Sequence, residues 1–283
     1  QAVPHIRYRQ NTFYDDQRII TRLDAQAVAI DRAAKSVRLS DGETLAYDHL
    51  ILATGSRARP YPAPGAERVP HQVVRALDDA EALKNALRPG QHVGLIGAGY
   101  VGLEVAASAR HLGCEVTIFE KAPRILARVA SAELSGVFTG MHRSRGAEIL
   151  TGCDITALSL GEGDKKIAHL ADGSARAFDL LLVGIGGVAN TELAQGAGLN
   201  VDNGVVVDDE ARASDPAVFA VGDAASRTLP FYEGRFRLES VPNALEQAKQ
   251  AAAAITGHKP PVVETPWFWS DQYEFKLQIA GLL

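Results

Sequence analysis

The sequence predicts an α/β protein: two nested three-layer domains of parallel sheet and helix, followed by the opening of an α+β domain. Three observations predict it. The first is an internal repeat. Residues 39–55 read LSDGETLAYDHLILATG, and 131 positions later residues 170–186 read LADGSARAFDLLLVGIG. Leu39, Asp41, Gly42, Asp48, Leu50, Leu52 and Gly55 recur in type at Leu170, Asp172, Gly173, Asp179, Leu181, Val183 and Gly186. Each copy has an Asp-Gly turn, an aromatic-Asp pair, a short apolar strand and a glycine where the strand ends. The period is too long for a solenoid repeat and suits two copies of a whole domain. The second observation is the glycine run Gly97-Ala98-Gly99-Tyr100-Val101-Gly102 between an apolar strand, Val93–Ile96, and a helix over Leu103–His111. The third is a change of pattern after Lys259-Pro260-Pro261, to Trp267-Phe268-Trp269 and a β-like run reaching Ile279.

The elements follow in order. Residues 1–60 read as short strands and turns, closing with Leu50–Ala53. Pro60, Pro62, Pro64 and Gly65 mark a linker. Ala76–Leu87 reads as a helix stopped by Pro89-Gly90. The glycine run follows, then a strand from Glu115 to Phe119 and the return strand Leu180–Val183. Asn203-Gly204 is a turn before strand-like Val205–Val207. Val218–Val221 is a buried strand ending at Gly222-Asp223, and Leu245–Ile255 is an Ala-rich helix. One domain is therefore expected to be inserted into another: 1–60 with 190–256 outside, 61–189 inside, and 257–283 opening a third. At the repeat's offset, a glycine run for the first copy falls before Gln1, so residues are expected to precede it. The N-terminus shows no initiator Met, charged n-region or apolar h-region.

The glycine run carries chemistry. Gly97 permits a tight turn, Gly99 lets backbone approach a pyrophosphate, and Gly102 lets the helix pack on the strand. The phosphates would sit at the helix N-terminus, where free N–H groups and the dipole attract them. Glu120 closes the next strand, where a carboxylate accepts hydrogen bonds from an adenosine ribose. The inner domain thus reads as a Rossmann-like dinucleotide-binding unit, and the repeat makes the outer one a second. Two dinucleotide sites facing one another suit hydride transfer between two cofactors.

Composition removes other classes. With 283 residues, 46% of them apolar, the chain can bury two cores. No apolar run approaches the ~20 residues that span a bilayer. The net charge of −5 argues against a nucleic-acid binder. Cys114 and Cys153 are far apart and form no CxxC, which disfavours a disulfide scaffold, a zinc site or a CxxC dithiol. Both read as small buried apolar residues. A reducing cytoplasm is the default compartment.

Several stretches together resemble the FAD-dependent NADH:ferredoxin reductases of the putidaredoxin reductase type, within the pyridine nucleotide-disulfide oxidoreductase-like flavoproteins. They are ATGSR at 53–57, GAGYVGLE at 97–104, VFAVGDAA at 218–225, ESVPNALEQA at 239–248 and PWFWSDQY at 266–273. The resemblance covers nearly the whole chain, but not that family's first FAD βαβ unit or most of its C-terminal domain. It implies that Asp223, after Gly222, accepts hydrogen bonds from the ribityl chain of FAD. It places the backbone of Ala53, Thr54 and Gly55 beside FAD, Val28 against adenine through its main chain, and Arg75 on the same cofactor. It gives Val241 and Pro242 to the pyrimidine end of the flavin, where the following helix dipole favours gained charge. Glu104, read on the first turn of the inner helix, faces the nicotinamide side by resemblance. Gly186 and Gly187 are expected to touch the nicotinamide dinucleotide. Of the two tryptophans, Trp267 is expected in the core and Trp269 near the flavin. Lys249 is expected on an exposed helix face, where it meets the protein partner.

The implied function is flavin-dependent electron transfer from NADH through FAD to a [2Fe–2S] ferredoxin serving an oxygenase or cytochrome P450. NADH is preferred over NADPH because Glu120 repels a 2′-phosphate, although Lys121 and Arg124 stand close by. No metal, nucleic-acid or membrane partner is expected, and the protein would be a monomer or homodimer. Three alternatives stay open: a disulfide or peroxide reductase of the same architecture, a signalling flavoprotein resembling apoptosis-inducing factor, and an inactive fragment.

Overall fold

A computed structural model describes residues 9–282. The described residues open with helix α1 (Asn11–Asp16) and an antiparallel sheet of β1 (Ala27–Asp31), β2 (Ser36–Leu39) and β3 (Thr44–Ala46). β4 (Leu50–Leu52) and β5 (Ser56–Ala58) follow, then helix α2 (Leu77–Ala86). β6 (His92–Ile96), helix α3 (Tyr100–His111), β7 (Glu115–Glu120), helix α4 (Ala132–Ser144) and β8 (Ala147–Thr151) form a continuous βαβαβ run. An antiparallel sheet is next: β9 (Ile155–Leu160), β10 (Lys166–Leu170) and β11 (Ala175–Phe178). After β12 (Leu180–Val183), β13 (Gly187–Ala189), helix α5 (Glu192–Gly196), β14 (Val205–Val206) and β15 (Val218–Ala220), a 3-10 turn covers Gly222–Ala224. β16 (Ala225–Leu229), β17 (Tyr232–Phe236), helix α6 (Val241–Thr256) and the hairpin β18 (Trp267–Gln272) and β19 (Phe275–Ala280) complete the order.

The inner unit has three layers. Its parallel sheet runs β12-β6-β7-β8. Alternation along each strand sends side chains to opposite faces. Val93, Leu95, Ile118 and Leu182 face the helices, packing with Leu103, Ala106 and Phe138. Ile96, Phe119, Leu181 and Val183 face the antiparallel sheet, packing with Leu158, Leu170 and Phe178. Both faces are apolar, so these strands read as continuous hydrophobic runs.

The two repeats fold alike down to single hydrogen bonds. Leu39 N–H donates to Glu43 O and Leu170 N–H to Ser174 O, both at 2.8 Å. The Asp41 and Asp172 carboxylates each accept from the backbone two residues on, both at 2.9 Å. Gly42 and Gly173 carry φ of 91° and 86°, the left-handed turn that glycine adopts at little cost. In the inner copy, Leu182 lies between β6 and a bridge to Gln72, fully buried. In the outer copy, β4 pairs with β15 on one side; no described strand pairs with its other edge, and Ile51 there is 43% exposed.

Four expectations need correction. Residues 11–16 are helical within a stretch read as strands and turns. Helix α3 begins at Tyr100, so Glu104 sits on its second turn. Helix α6 begins at Val241, because Ser240 caps it by accepting from Asn243 N–H and Pro242 is tolerated in a first turn. The proline-rich linker is docked: Leu158 N–H donates to Pro64 O at 2.8 Å, and a Cβ at Gly65 would lie 2.0 Å from Leu158 O.

Candidate functional site

The glycine run takes the shape its sequence demands. Gly97 has φ 99°, and a Cβ there would meet Gly184 O at 2.4 Å. A Cβ at Gly102 would meet Gly97 O at 2.3 Å, so the helix can approach the strand this closely only with glycine. A Cβ at Gly99 would meet nothing within 4 Å, which leaves the backbone at the α3 N-terminus open to a ligand. Glu120 is fixed beside the run: Oε2 accepts from Ala98 N–H at 2.9 Å and Oε1 from Ala122 N–H at 2.8 Å. The neighbouring cations are engaged. Lys121 pairs with Asp154 at 3.0 Å, and the Arg124 guanidinium bonds the carbonyls of Ala127, Ala130 and Ser131 and the Ser135 hydroxyl.

A second constellation forms where the outer strands end. Asp223 Oδ2 accepts from Ser56 Oγ at 3.0 Å and from Arg75 Nη2 at 2.9 Å. Arg75 Nε donates to Ser56 O at 2.7 Å, so Gly55, Ser56, Arg75 and Asp223 are one cluster. Gly55 and Gly222 have φ of 65° and 68°. The first half of α6 packs on this turn. Gln247 Oε1 accepts from Gly222 N–H at 2.8 Å and from Asn243 Nδ2 at 3.2 Å. Gln247 is fully buried, and its Nε2 has no hydrogen-bond partner among the described residues. Thr54 is tied across to the far repeat: its hydroxyl donates to Asn190 O at 2.7 Å, and Asn190 Nδ2 donates back to Thr54 O at 2.9 Å. Ala53 is exposed beside it.

The two constellations meet at one guanidinium. Arg237 Nη1 reaches Asp223 O at 3.4 Å and Nη2 reaches Gly187 O at 3.3 Å, while Glu239 holds the same group by a 2.5 Å ion pair. Gly186 has φ 101° and follows Gly184, whose N–H donates to Ile96 O at the end of β6. Val241 is 56% exposed at the α6 N-terminus, next to Pro242.

The hairpin supplies a third wall. Phe268 packs edge-on against Tyr100 with ring centroids 4.7 Å apart, and Ser270 Oγ donates to Glu104 Oε1 at 2.6 Å. Burial raises Glu104 above the usual carboxylate value, and the Ser270 bond opposes that shift. Trp267 is not in the core. Alternation puts Phe268, Ser270 and Gln272 inward, leaving Trp267 and Trp269 outward, 40% and 46% exposed, with centroids 5.6 Å apart. Cys114 is buried as expected, whereas Cys153 is only half-buried. Among the described residues, no His, Cys, Asp and Glu cluster could hold a metal ion, and no helix is long and apolar enough to cross a membrane.

Residues 3–248 match the family described as Pyridine nucleotide-disulphide oxidoreductase. The chain belongs to that family. It is 46% identical over 270 residues to the probable ferredoxin reductase CtmF of Castellaniella defragrans, covering 95% of this chain and 66% of the relative. It is 42% identical over 262 residues to putidaredoxin reductase CamA of Pseudomonas putida, covering 91% and 62%. Among solved structures it matches the covalent putidaredoxin reductase–putidaredoxin complex, with TM-score 0.95 and 39% identity over all of this chain and 69% of that one. The chain therefore spans about two thirds of the length of the curated relatives it matches.

For a pyridine nucleotide-disulphide oxidoreductase, the residues present fit a flavin and a nicotinamide dinucleotide. The orphaned Gln247 amide beside Gly222 and the open backbone at Gly99 are the two observations that bear on this. Val28 and Lys249 stand apart from the clusters. Val28 falls at a bulge where β1 skips a partner in β2. Lys249 lies exposed about 12 Å along α6 from Val241 by helical rise. Sequence reasoning missed Ser56, Asn190, Arg237 and Gln247. Only Gln247 left a signal, as a polar residue one turn after Asn243 on a helix otherwise rich in alanine.

Proposed function

We propose that this protein is a flavin-dependent oxidoreductase that passes electrons from NADH through FAD to a [2Fe–2S] ferredoxin serving an oxygenase or cytochrome P450. One observation carries the reading: Arg237 joins Asp223, just past β15 beside the outer repeat's strand β4, to Gly187, just past the end of the inner repeat. One guanidinium shared by the strand ends of the two candidate nucleotide sites supports transfer between their ligands. Named ferredoxin reductases among the relatives support the same reading.

FAD supplies the redox chemistry when bound, accepting a hydride and releasing single electrons. The chain's residues orient and shield. Asp223, held by Ser56 and Arg75, presents its remaining lone pairs to a hydroxylated chain. Gly55, Ala53, Thr54 and Arg75 line the same side, and the Val28 main chain is given to adenine. Val241 and Pro242 place the N-terminus of α6 toward the flavin ring, where its dipole favours negative charge. Gly97, Gly99, Gly102 and Gly186 hold the second dinucleotide, with Glu120 on its ribose. Glu104 faces the nicotinamide side and Trp269 the path toward the partner, with Lys249 at the docking rim.

We assign residues 1–60 and 190–256 to the flavin unit, 61–189 to the nicotinamide unit and 257–283 to a third. We also infer a cytoplasmic location, supported by the two free thiols. The test is stopped-flow of both half-reactions. NADH should bleach bound flavin, and ferredoxin should then reoxidise it one electron at a time. A protein whose flavin is reduced by NADH but is reoxidised by disulfides or peroxide and not by ferredoxin would overturn the reading.

A further inference from the structure

A hydrogen-bonded line of five side chains runs from the tip of the β18–β19 hairpin to Glu104. Tyr273 Oη lies 3.3 Å from His142 Nδ1, and His142 Nε2 lies 2.9 Å from Gln272 Oε1. Gln272 Nε2 donates to Ser270 Oγ at 3.1 Å, and Ser270 Oγ donates to Glu104 Oε1 at 2.6 Å. His142 and Gln272 are 0% exposed and Ser270 1%, so water does not compete for these bonds.

The line has one polarity. An ionised carboxylate only accepts, so Ser270 must turn its single hydrogen to Glu104. Ser270 then accepts from Gln272 Nε2, which leaves Gln272 Oε1 to accept from His142 Nε2–H. Where burial keeps His142 neutral, Nε2 carries the hydrogen and Nδ1 is the acceptor for Tyr273. The tip residue is held against its own preference: Tyr273 has φ 55°, unusual for an aromatic residue. Arg145 lies over its ring at 4.6 Å, over Phe275 at 5.6 Å, and pairs with Glu274.

Gluing a hairpin to a helix does not require this. Phe268 on Tyr100 already does so, and buried polar groups are often replaceable by apolar ones without loss of stability. A fully satisfied line that ends on a carboxylate at the candidate site is better suited to orient that carboxylate.

We propose that His142, Gln272 and Ser270 are positioning residues for Glu104: they deliver one hydrogen to Oε1 and hold the carboxylate ionised, in one orientation, at the face where the nicotinamide of NADH is read. The proposal rests on the role given to Glu104 above. The other groups facing the line are Asp271, whose charge opposes ionisation of Glu104 while its backbone N–H, donating to the same carboxylate, favours it, and Arg145, whose charge opposes protonation of His142. Arg110 and Glu274 act on Tyr273. Ser108 on the same helix bonds the Glu104 carbonyl, not its carboxylate.

The experiment is an infrared pH titration of the flavin-loaded protein, with the Glu104 carboxyl band assigned by its loss in Glu104→Gln. Near-ultraviolet circular dichroism of the Tyr100–Phe268 contact checks that the hairpin stays docked. Ser270→Ala should raise the Glu104 midpoint. Gln272→Glu should raise it as well, because the new carboxylate accepts from His142 and also draws the Ser270 hydrogen away. In the Ser270→Ala background, Gln272→Glu should add little. A full further shift there means that the new charge acts alone, and overturns the proposal. Unmoved midpoints in both single variants, with the hairpin docked, overturn it too. NAD⁺ binding is measured separately and should weaken on the order of tenfold in each single variant. Shifted midpoints with unchanged NAD⁺ affinity would keep the line as the device that sets Glu104 while removing Glu104 from the nicotinamide face.

Discussion

Asp223 already accepts two hydrogen bonds, from Ser56 and Arg75, and its side chain is 16% exposed. Both bonds fall on Oδ2, which leaves Oδ1 for a ligand, so Asp223→Ala should weaken FAD retention by more than about tenfold, as for loss of a charge-assisted bond. The protein would purify with substoichiometric flavin; a variant as yellow as the parent removes Asp223 from the site. Glu120 pins Ala98 N–H in the glycine run, and the ribose contact proposed above would give it a second duty. Glu120→Ala should raise the NADH KM and narrow the preference over NADPH by about 1–3 kcal/mol. The Arg124 guanidinium is taken up by three carbonyls and the Ser135 hydroxyl, whereas Lys121 forms only an exposed surface pair with Asp154. Equal kcat/KM ratios for the two nicotinamides before and after substitution would end this account.

At the scale of elements, the segment after β5 is a packed strap rather than a free linker. Gly65 has φ 86° and almost touches Leu158 O. Gly65→Ala therefore adds both backbone strain and overpacking, and should cost about 1–3 kcal/mol, read as a lower urea midpoint with unchanged m. Gly152→Ala is the control for strain alone, since φ is 64° there but nothing lies within 4 Å. Helix α6 divides its faces clearly. Asn243, Gln247 and Ala251 are buried at successive turns, while Lys249 is exposed. Charge on an exposed rim acts chiefly on association, so Lys249→Glu should slow ferredoxin reduction most at low salt and leave flavin reduction by NADH untouched. Equal loss in both half-reactions, across a salt series, would return Lys249 to an ordinary solvated position.

At the scale of the whole molecule, acid should loosen the docking of the hairpin on the inner unit. Burial pushes His142 below its ordinary value, so it stays neutral when folded, whereas an unfolded imidazole charges near pH 6.5. The unfolded state then binds more protons, and stability is lost as pH falls below about 6.5 toward the folded value. Glu104 acts in the opposite sense: burial raises it, so its contribution grows as pH falls through its folded value. Asp179 is lowered by Lys165 and His92 N–H, so its stabilisation is present at neutral pH and fades only in stronger acid. Between neutrality and the carboxylate range, His142 is the group that costs stability as pH falls. Tm should fall across that interval, and His142→Gln, which cannot titrate, should flatten the fall. An unchanged slope in that variant would show that His142 does not control docking.

The sequence by itself determined what is periodic or conformationally demanding. The repeat at 39 and 170, the glycine run at 97–102 and the acid at 120 follow from turn geometry, strand alternation and helix termini, all local along the chain. Glycines that need left-handed backbone, at 42, 97 and 173, are legible because other residues adopt it only under strain. Tertiary structure decided which distant residues meet. Ser56 and Arg75 reach Asp223 across 167 and 148 positions, and Arg237 reaches Gly187 across 50. It also decided which face of Trp267–Gln272 turns inward: strand alternation fixes that two faces exist, but only the helix packed beside the strand selects one. Here Tyr100 and Glu104 on α3 select Phe268 and Ser270, and both tryptophans turn outward.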